Sequence, residues 1–293
     1  MVVAQPAIAS ETALAPVATR AWLWPNLLSL DAPIVAVLWQ ALFARCFHAP
    51  FDALAAALLV LSVWLIYAAD RCLDVLKNGG GTSISNAREP DLLARVFRTA
   101  TEPARHQFYR RHWHTILPFW IATLAIATWL AWTRLPVLLF ERGLALLAAI
   151  GIYFAFVHLA PRPWWPKEFA VGILFAVGAS LSAWGQVRSV IDAATIVLFC
   201  MLCWINCAAI EHWENRGLPE WPVRLAAIAV GLIALIFLYD KRPILAGAET
   251  ASAFGFVLLD RARHRLSPDA LRVLADIALL TPALFLPMAG LRP

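Results

Sequence analysis

Two groups of acidic residues stand where long apolar stretches end. In LLVLSVWLIYAADRCLDVLK, residues 58–77, Asp70 and Asp74 are four apart and so share one face of a helix. In MLCWINCAAIEHWENRG, residues 201–217, Asn206 is followed by Glu211 and Glu214, one turn apart. Paired carboxylates on one helix face suit a hard cation. If the two helix ends approach, four carboxylates surround one small volume, and without a cation they repel one another and resist burial. Mg²⁺ takes oxygen ligands and completes its shell with water and substrate phosphate, so a metal-bridged diphosphate resolves the repulsion. The alternative is that these side chains are solvated at the headgroups or paired with Arg71 and Arg216. Lys77, Arg162 and Lys167 fall on the same side and either hold a diphosphate or set topology. Tyr67 and Tyr153 lie near the same ends of their stretches, where a hydroxyl can touch phosphate or anchor the helix at the interface.

The elements that must position these groups follow from composition. Of 293 residues, 61% are apolar and 15% charged, with a mean hydropathy of +0.70, which excludes a water-soluble domain. Apolar stretches fall at 27–43, 53–69, 116–133, 135–158, 169–186, 192–210, 223–239, 243–259 and 271–289. Each approaches the ~20 residues that span a bilayer as a helix, and continuous Leu, Ala, Ile and Val rather than alternation excludes barrel strands. The expected fold is therefore an all-α integral membrane protein with about nine transmembrane helices around a central cavity. Residues 1–24 are expected to form a flexible tail with no cleaved signal peptide. Residues 25–293 form the membrane domain, interrupted by a basic cytoplasmic insertion at 75–115, where His106, His112 and His114 read as surface residues. With the N-terminus cytoplasmic, most of the 24 lysines and arginines lie inside, as the positive-inside rule requires. The basic pI near 9.2 then calls for membrane lipid and no nucleic acid. The five cysteines are odd in number and mostly within spans, so they act as small apolar residues.

YAADRCLD, with Asp70 and Asp74, resembles the first aspartate-rich motif of UbiA-type intramembrane prenyltransferases. LDAPI at 30–34 resembles that family's entry sequence. Tyr153, Pro161, Lys167 and the stretch from Gly172 to Trp184 resemble its fourth-to-fifth span region, and Asn206 to Gly217 is similar to its second acidic motif. The sequence departs from the pattern in having Ile66 and Tyr67 where the first motif begins with Asn and often an acidic residue, and Glu214 in place of a terminal aspartate. The resemblance implies nine helices around a cavity and Mg²⁺-dependent transfer of a prenyl group from a polyprenyl diphosphate to a lipophilic acceptor. It implies Asp70, Asp74, Glu211 and Glu214 as catalytic metal ligands, with Arg71, Lys77, Lys167, Asn206 and Tyr153 on the diphosphate. The prenyl chain would be lined by Trp64, Phe119, Trp120, Phe175 and Trp184, unless those rings serve helix packing. A multi-pass protein of a bacterial inner (plasma) membrane is expected. Two other classes fit the same residues: a silent relative that binds a lipid or a protein partner, and a small transporter with a polar vestibule.

Overall fold

The computed structural model describes residues 21–79, 104–159, 167–214 and 222–289, and every regular element among them is helical. A 3₁₀ turn, Ala21–Leu23, leads into the short α1 (Trp24–Leu27), then α2 (Asp31–Cys46) and α3 (Ala53–Gly79). There follow α4 (Ala104–Arg134), α5 (Val137–Leu159) and α6 (Lys167–Ser180), which continues as a 3₁₀ segment to Gln186. The chain closes with α7 (Val190–Glu214), α8 (Val223–Leu238), α9 (Pro243–Ala262), α10 (Pro268–Ala278) and α11 (Pro282–Ala289).

All nine apolar stretches lie on helices, because in lipid each backbone amide must find its partner within its own segment. They do not all cross alike. Seven helical segments are long and apolar enough to span a bilayer, and an eighth if α1 and α2, bent by 77°, count as one. The bend falls at Ser29, whose φ of 54° ends one helix before the next begins. At 16 residues, α8 is about 24 Å long, short of the ~30 Å hydrocarbon core. The chain is thus an all-helical, multi-pass membrane protein. Of the expected insertion, 75–79 prolong α3 and 104–115 begin α4, whereas 80–103 lie outside the described residues, as does 1–20 of the expected tail.

Local signals set the boundaries. Proline opens α9, α10 and α11, where its missing N–H costs nothing, and Ser267 caps α10 by accepting from the Ala270 amide at 3.2 Å. His48, with a φ of 57°, closes α2 in the left-handed conformation while Ala49 N–H reaches back to the Ala44 carbonyl at 2.8 Å, the usual way to satisfy the last carbonyls.

The core lies where α2, α6, α7, α8, α9 and α10 meet. Trp39 stacks on Phe199 with centroids 4.1 Å apart, and its indole N–H donates to the Leu279 carbonyl at 2.9 Å. A Cβ on Gly172 would sit 3.0 Å from both the Cys200 carbonyl oxygen and the Trp204 nitrogen, so the absent side chain lets α6 and α7 touch backbone to backbone. On the opposite flank α4 packs on α3, and α5 packs mainly on α6 and its 3₁₀ continuation, with Phe140 of α5 also meeting Trp132 of α4 edge-on. The carboxyl of Asp192 fastens one end of the bundle. It accepts from Arg242 Nε at 2.9 Å and Nη2 at 2.6 Å, and from the backbone amides of Arg188 and Ser189 at 3.1 Å. At the other end Asp260 accepts from Arg224 Nε at 2.8 Å and from Trp213 and Arg263 at 3.2 Å, tying α7, α8 and α9 together.

Candidate functional site

At the Asp260 end of the bundle the helix termini bring polar groups around one small volume. A cavity of about 20 Å³ is lined by Tyr67, Asn206, Cys207 and Asp276 amid Ala32, Val35 and Phe175. That is room for roughly one water molecule. The Asp276 carboxyl takes a hydrogen bond from Asn206 Nδ2 at 3.0 Å and lies against the carboxyl of Asp31. Asp31 in turn accepts from Asn26 Nδ2 at 2.6 Å and from the Ala32 amide at 2.9 Å. A second carboxyl pair, Glu168 with Glu211, stands nearby, and the Lys167 ammonium is 3.7 Å from each. Cys207 in the cavity wall lies within electrostatic range of Asp276, Glu168, Glu211 and Arg71, so the second pair and the guanidinium are close to the cavity without lining it. Tyr109 joins from α4, its hydroxyl 3.1 Å from Ser29 Oγ.

Three buried polar atoms around this chamber find no hydrogen-bond partner among the described residues: Arg71 Nε, Glu168 Oε1 and Asn206 Oδ1. Unmet donors and acceptors inside a protein cost about 1–3 kcal/mol each. Each is a point where water or a polar ligand can supply what folding leaves unmet.

The residues singled out in the sequence divide between this chamber and its rim. Asn206 lines the cavity, Arg71 and Glu211 lie within electrostatic range of Cys207 in its wall, and Lys167 is 3.7 Å from Glu211. Asp70 is half-buried on the adjoining turn of α3, whereas the side chains of Asp74 and Lys77 lie outside the described residues, as does Arg162. Glu214 bonds to Arg272 of α10, a guanidinium that is only 4% exposed. Among the described residues no three His, Cys, Asp or Glu side chains gather closely enough to hold a metal ion. Tyr153 is not in the chamber but halfway along a groove between α5 and α6.

That groove has a volume of about 330 Å³ and is walled by Ile152, Tyr153 and Phe156 of α5 and by Ile173 and Leu174 of α6, with Lys167 at its chamber end. The aromatics expected around a prenyl chain are employed elsewhere. Trp64 donates to the Leu28 carbonyl at 3.0 Å and meets Phe119 edge-on. Trp120 donates to the Leu65 carbonyl at 2.9 Å, and Trp184 to Ser180 Oγ at 2.9 Å. Only Phe175 borders the chamber.

Asp31, Glu168, Asp276 and Arg272 were not singled out in the sequence. The signal that finds them is the cost of an ionisable group inside an apolar span, which makes any such residue a candidate in its own right. Fold and site together define a multi-pass helical membrane protein with a carboxyl-rich chamber at one end of its bundle. Compared with protein-family models, with curated proteins and with solved structures, the chain matches none.

Proposed function

We propose that this chain is a UbiA-like intramembrane prenyltransferase, crossing a bacterial inner membrane nine times with its N-terminus and chamber cytoplasmic. It transfers a prenyl group from a polyprenyl diphosphate to a lipophilic acceptor. The observation that carries this reading is the position of Lys167. Its ammonium is 3.7 Å from Glu211, which lies close to the polar cavity, and the same side chain lines the end of an apolar groove. A site that is charged at one end and apolar along its length matches an amphiphile with an anionic head and a hydrocarbon tail.

Lys167, Lys77 and Arg71 hold the phosphate oxygens, Arg71 through a buried Nε that has no partner among the described residues, and Asn206 orients the head. Asp70, Asp74, Glu211 and Glu214 would offer oxygen ligands of the kind Mg²⁺ takes, and because no three such side chains stand together among the described residues, the diphosphate would have to complete the site. When bound, the ion supplies charge neutralisation for the departing diphosphate. In the transfer the prenyl carbon–oxygen bond breaks and its electron pair leaves with the diphosphate. The cation-like prenyl carbon then bonds to the acceptor, which gives up a proton to a chamber carboxylate.

Binding of a prenyl diphosphate series to detergent-solubilised protein, with and without Mg²⁺, tests this. The expected result is Mg²⁺-dependent binding that falls at least ~10-fold on chelation and is lost in the Asp70→Ala/Asp74→Ala variant. No binding at any chain length overturns the function, and full binding by the variant overturns the ligand assignment. The bonds of Glu214 to Arg272 and Glu211 to Lys167 favour a second reading, in which these carboxylates are structural and the protein holds a prenyl lipid without turnover. Tight binding with no diphosphate release would select it.

A further inference from the structure

We propose that an anionic phospholipid binds along the outer face of α8, its phosphate held by Arg224 of α8 and by Arg261 and Arg265 at the end of α9. The site stands apart from the chamber and does not depend on prenyl transfer. The two faces of α8 differ in what they meet. Val223, Ala227, Val230, Ala234 and Leu238 recur at intervals of three and four residues and are buried, and this side packs on α9, where a Cβ on Gly231 would sit 3.2 Å from that of Ala253. On the outward side Leu225, Ile228, Leu232 and Ile236 run at the same spacing and are between 43% and 71% exposed. That row begins beside Arg224, so an acyl chain lying along it has its glycerol end at a guanidinium.

The charge at this end calls for an anion. Arg224 gives its Nε–H to Asp260 at 2.8 Å while its side chain stays 55% exposed. A guanidinium carries five donors in a planar fork, so further donors face outward, in the geometry that takes two phosphate oxygens at once. Asp260 is buried and also accepts from Trp213 and Arg263, which occupies it fully. Arg261 follows Asp260 directly, and Arg265 is fixed close by through its amide bond to the Ala262 carbonyl at 2.8 Å; both are exposed. Asp260 is the only acidic residue between Glu249 and Asp269, so that stretch offers Arg261 and Arg265 no carboxylate of their own.

Length brings head and tail together. From Arg224 to Tyr239, just past the end of α8, the helix rises about 22 Å, against a hydrocarbon core of ~30 Å. A span this short draws headgroups inward at its polar ends, to the depth at which Arg224 stands. A free phosphate ion makes no use of the apolar row, and a zwitterionic headgroup sets its own cation against the arginines. A phospholipid of net negative charge satisfies both parts.

The test titrates the detergent-solubilised chain with dioleoylphosphatidylglycerol, dioleoylphosphatidylcholine and glycerol 3-phosphate, counting bound molecules by native mass spectrometry. Wild type is expected to hold one phosphatidylglycerol with a Kd at least ~10-fold below that for phosphatidylcholine, and glycerol 3-phosphate at the same concentration does not displace it. Arg224→Gln and the double variant Arg261→Gln/Arg265→Gln each weaken phosphatidylglycerol binding at least ~5-fold and leave phosphatidylcholine unchanged. Asp260 keeps Trp213 and Arg263 in the first variant, and the second alters exposed side chains alone, so lipid-free melting temperatures check the fold. Where Arg224→Gln does not fold, the double variant decides. Equal affinity for the two lipids, or a preference that survives in the variants, overturns the proposal. Displacement by glycerol 3-phosphate overturns it in favour of a site for free phosphate.

Discussion

The two flanks of the bundle are built to different standards. Half of the α9 span is buried within the protein, and 44% of the α7 span, against 11% for the α4 span and none for α5. The α7–α10 flank is closed at both ends by ion pairs on buried carboxylates, Asp192 with Arg242 and Asp260 with the more exposed Arg224. The α4–α5 flank presents Trp129, Trp132, Leu147 and Ile152 to its surroundings. Lipid tails are as apolar as leucine, so an exposed helix in a membrane incurs no hydrophobic penalty and need not pack to be stable. Packing is therefore concentrated where carboxyl groups must be held together, and the flank that carries the apolar groove is packed more loosely.

The comparison breaks most visibly at Gly172. A leucine there is expected to abolish folded protein, since its Cβ alone would meet two backbone atoms at 3.0 Å; size-exclusion chromatography of the solubilised variant reads this. Next comes Trp39→Ala, which removes a fully buried ring stacked on Phe199 and should cost ~3–5 kcal/mol, seen as a large drop in melting temperature. Arg242→Met leaves Asp192, 3% exposed, without its cation. The loss should be about 2–3 kcal/mol, below the value for a fully buried pair because Arg242 itself retains some solvent contact. At the small end, Leu147→Ala on α5, a residue 58% exposed, is expected to change stability by less than ~0.5 kcal/mol. A Leu147→Ala variant as unstable as Trp39→Ala would show that α5 is packed against something the isolated chain does not contain, and the distinction between flanks would fall.

The helices were legible because lipid imposes one local rule on each of them. The stretch 243–259 reads as a span from its own residues, and α9 forms over it. Where the rule weakens, so does the reading: 27–43 carries no sign of the 77° bend, which depends on one residue, Ser29, in a left-handed conformation. The candidate site was legible in part. Arg71, Asn206, Lys167 and Glu211 were singled out from their places at span ends, and of these Asn206 lines the cavity while Arg71 and Glu211 lie close to it. Asp31 and Asp276 escaped because neither has a second carboxyl one turn away on its own helix, and 245 positions of chain separate them. Glu214 was read with Glu211 as a pair, yet the two face different partners, Arg272 and Lys167.

The sequence by itself determined the solvent, the helices and the side of the bundle where charge collects, since hydropathy and backbone hydrogen bonding are properties of a segment taken alone. Only the tertiary structure decided which carboxyls confront one another, which arginine claims Glu214, and that the apolar groove ends at the same lysine as the polar chamber. Those are relations between helices distant in the chain, set by which faces pack, and no single segment carries them.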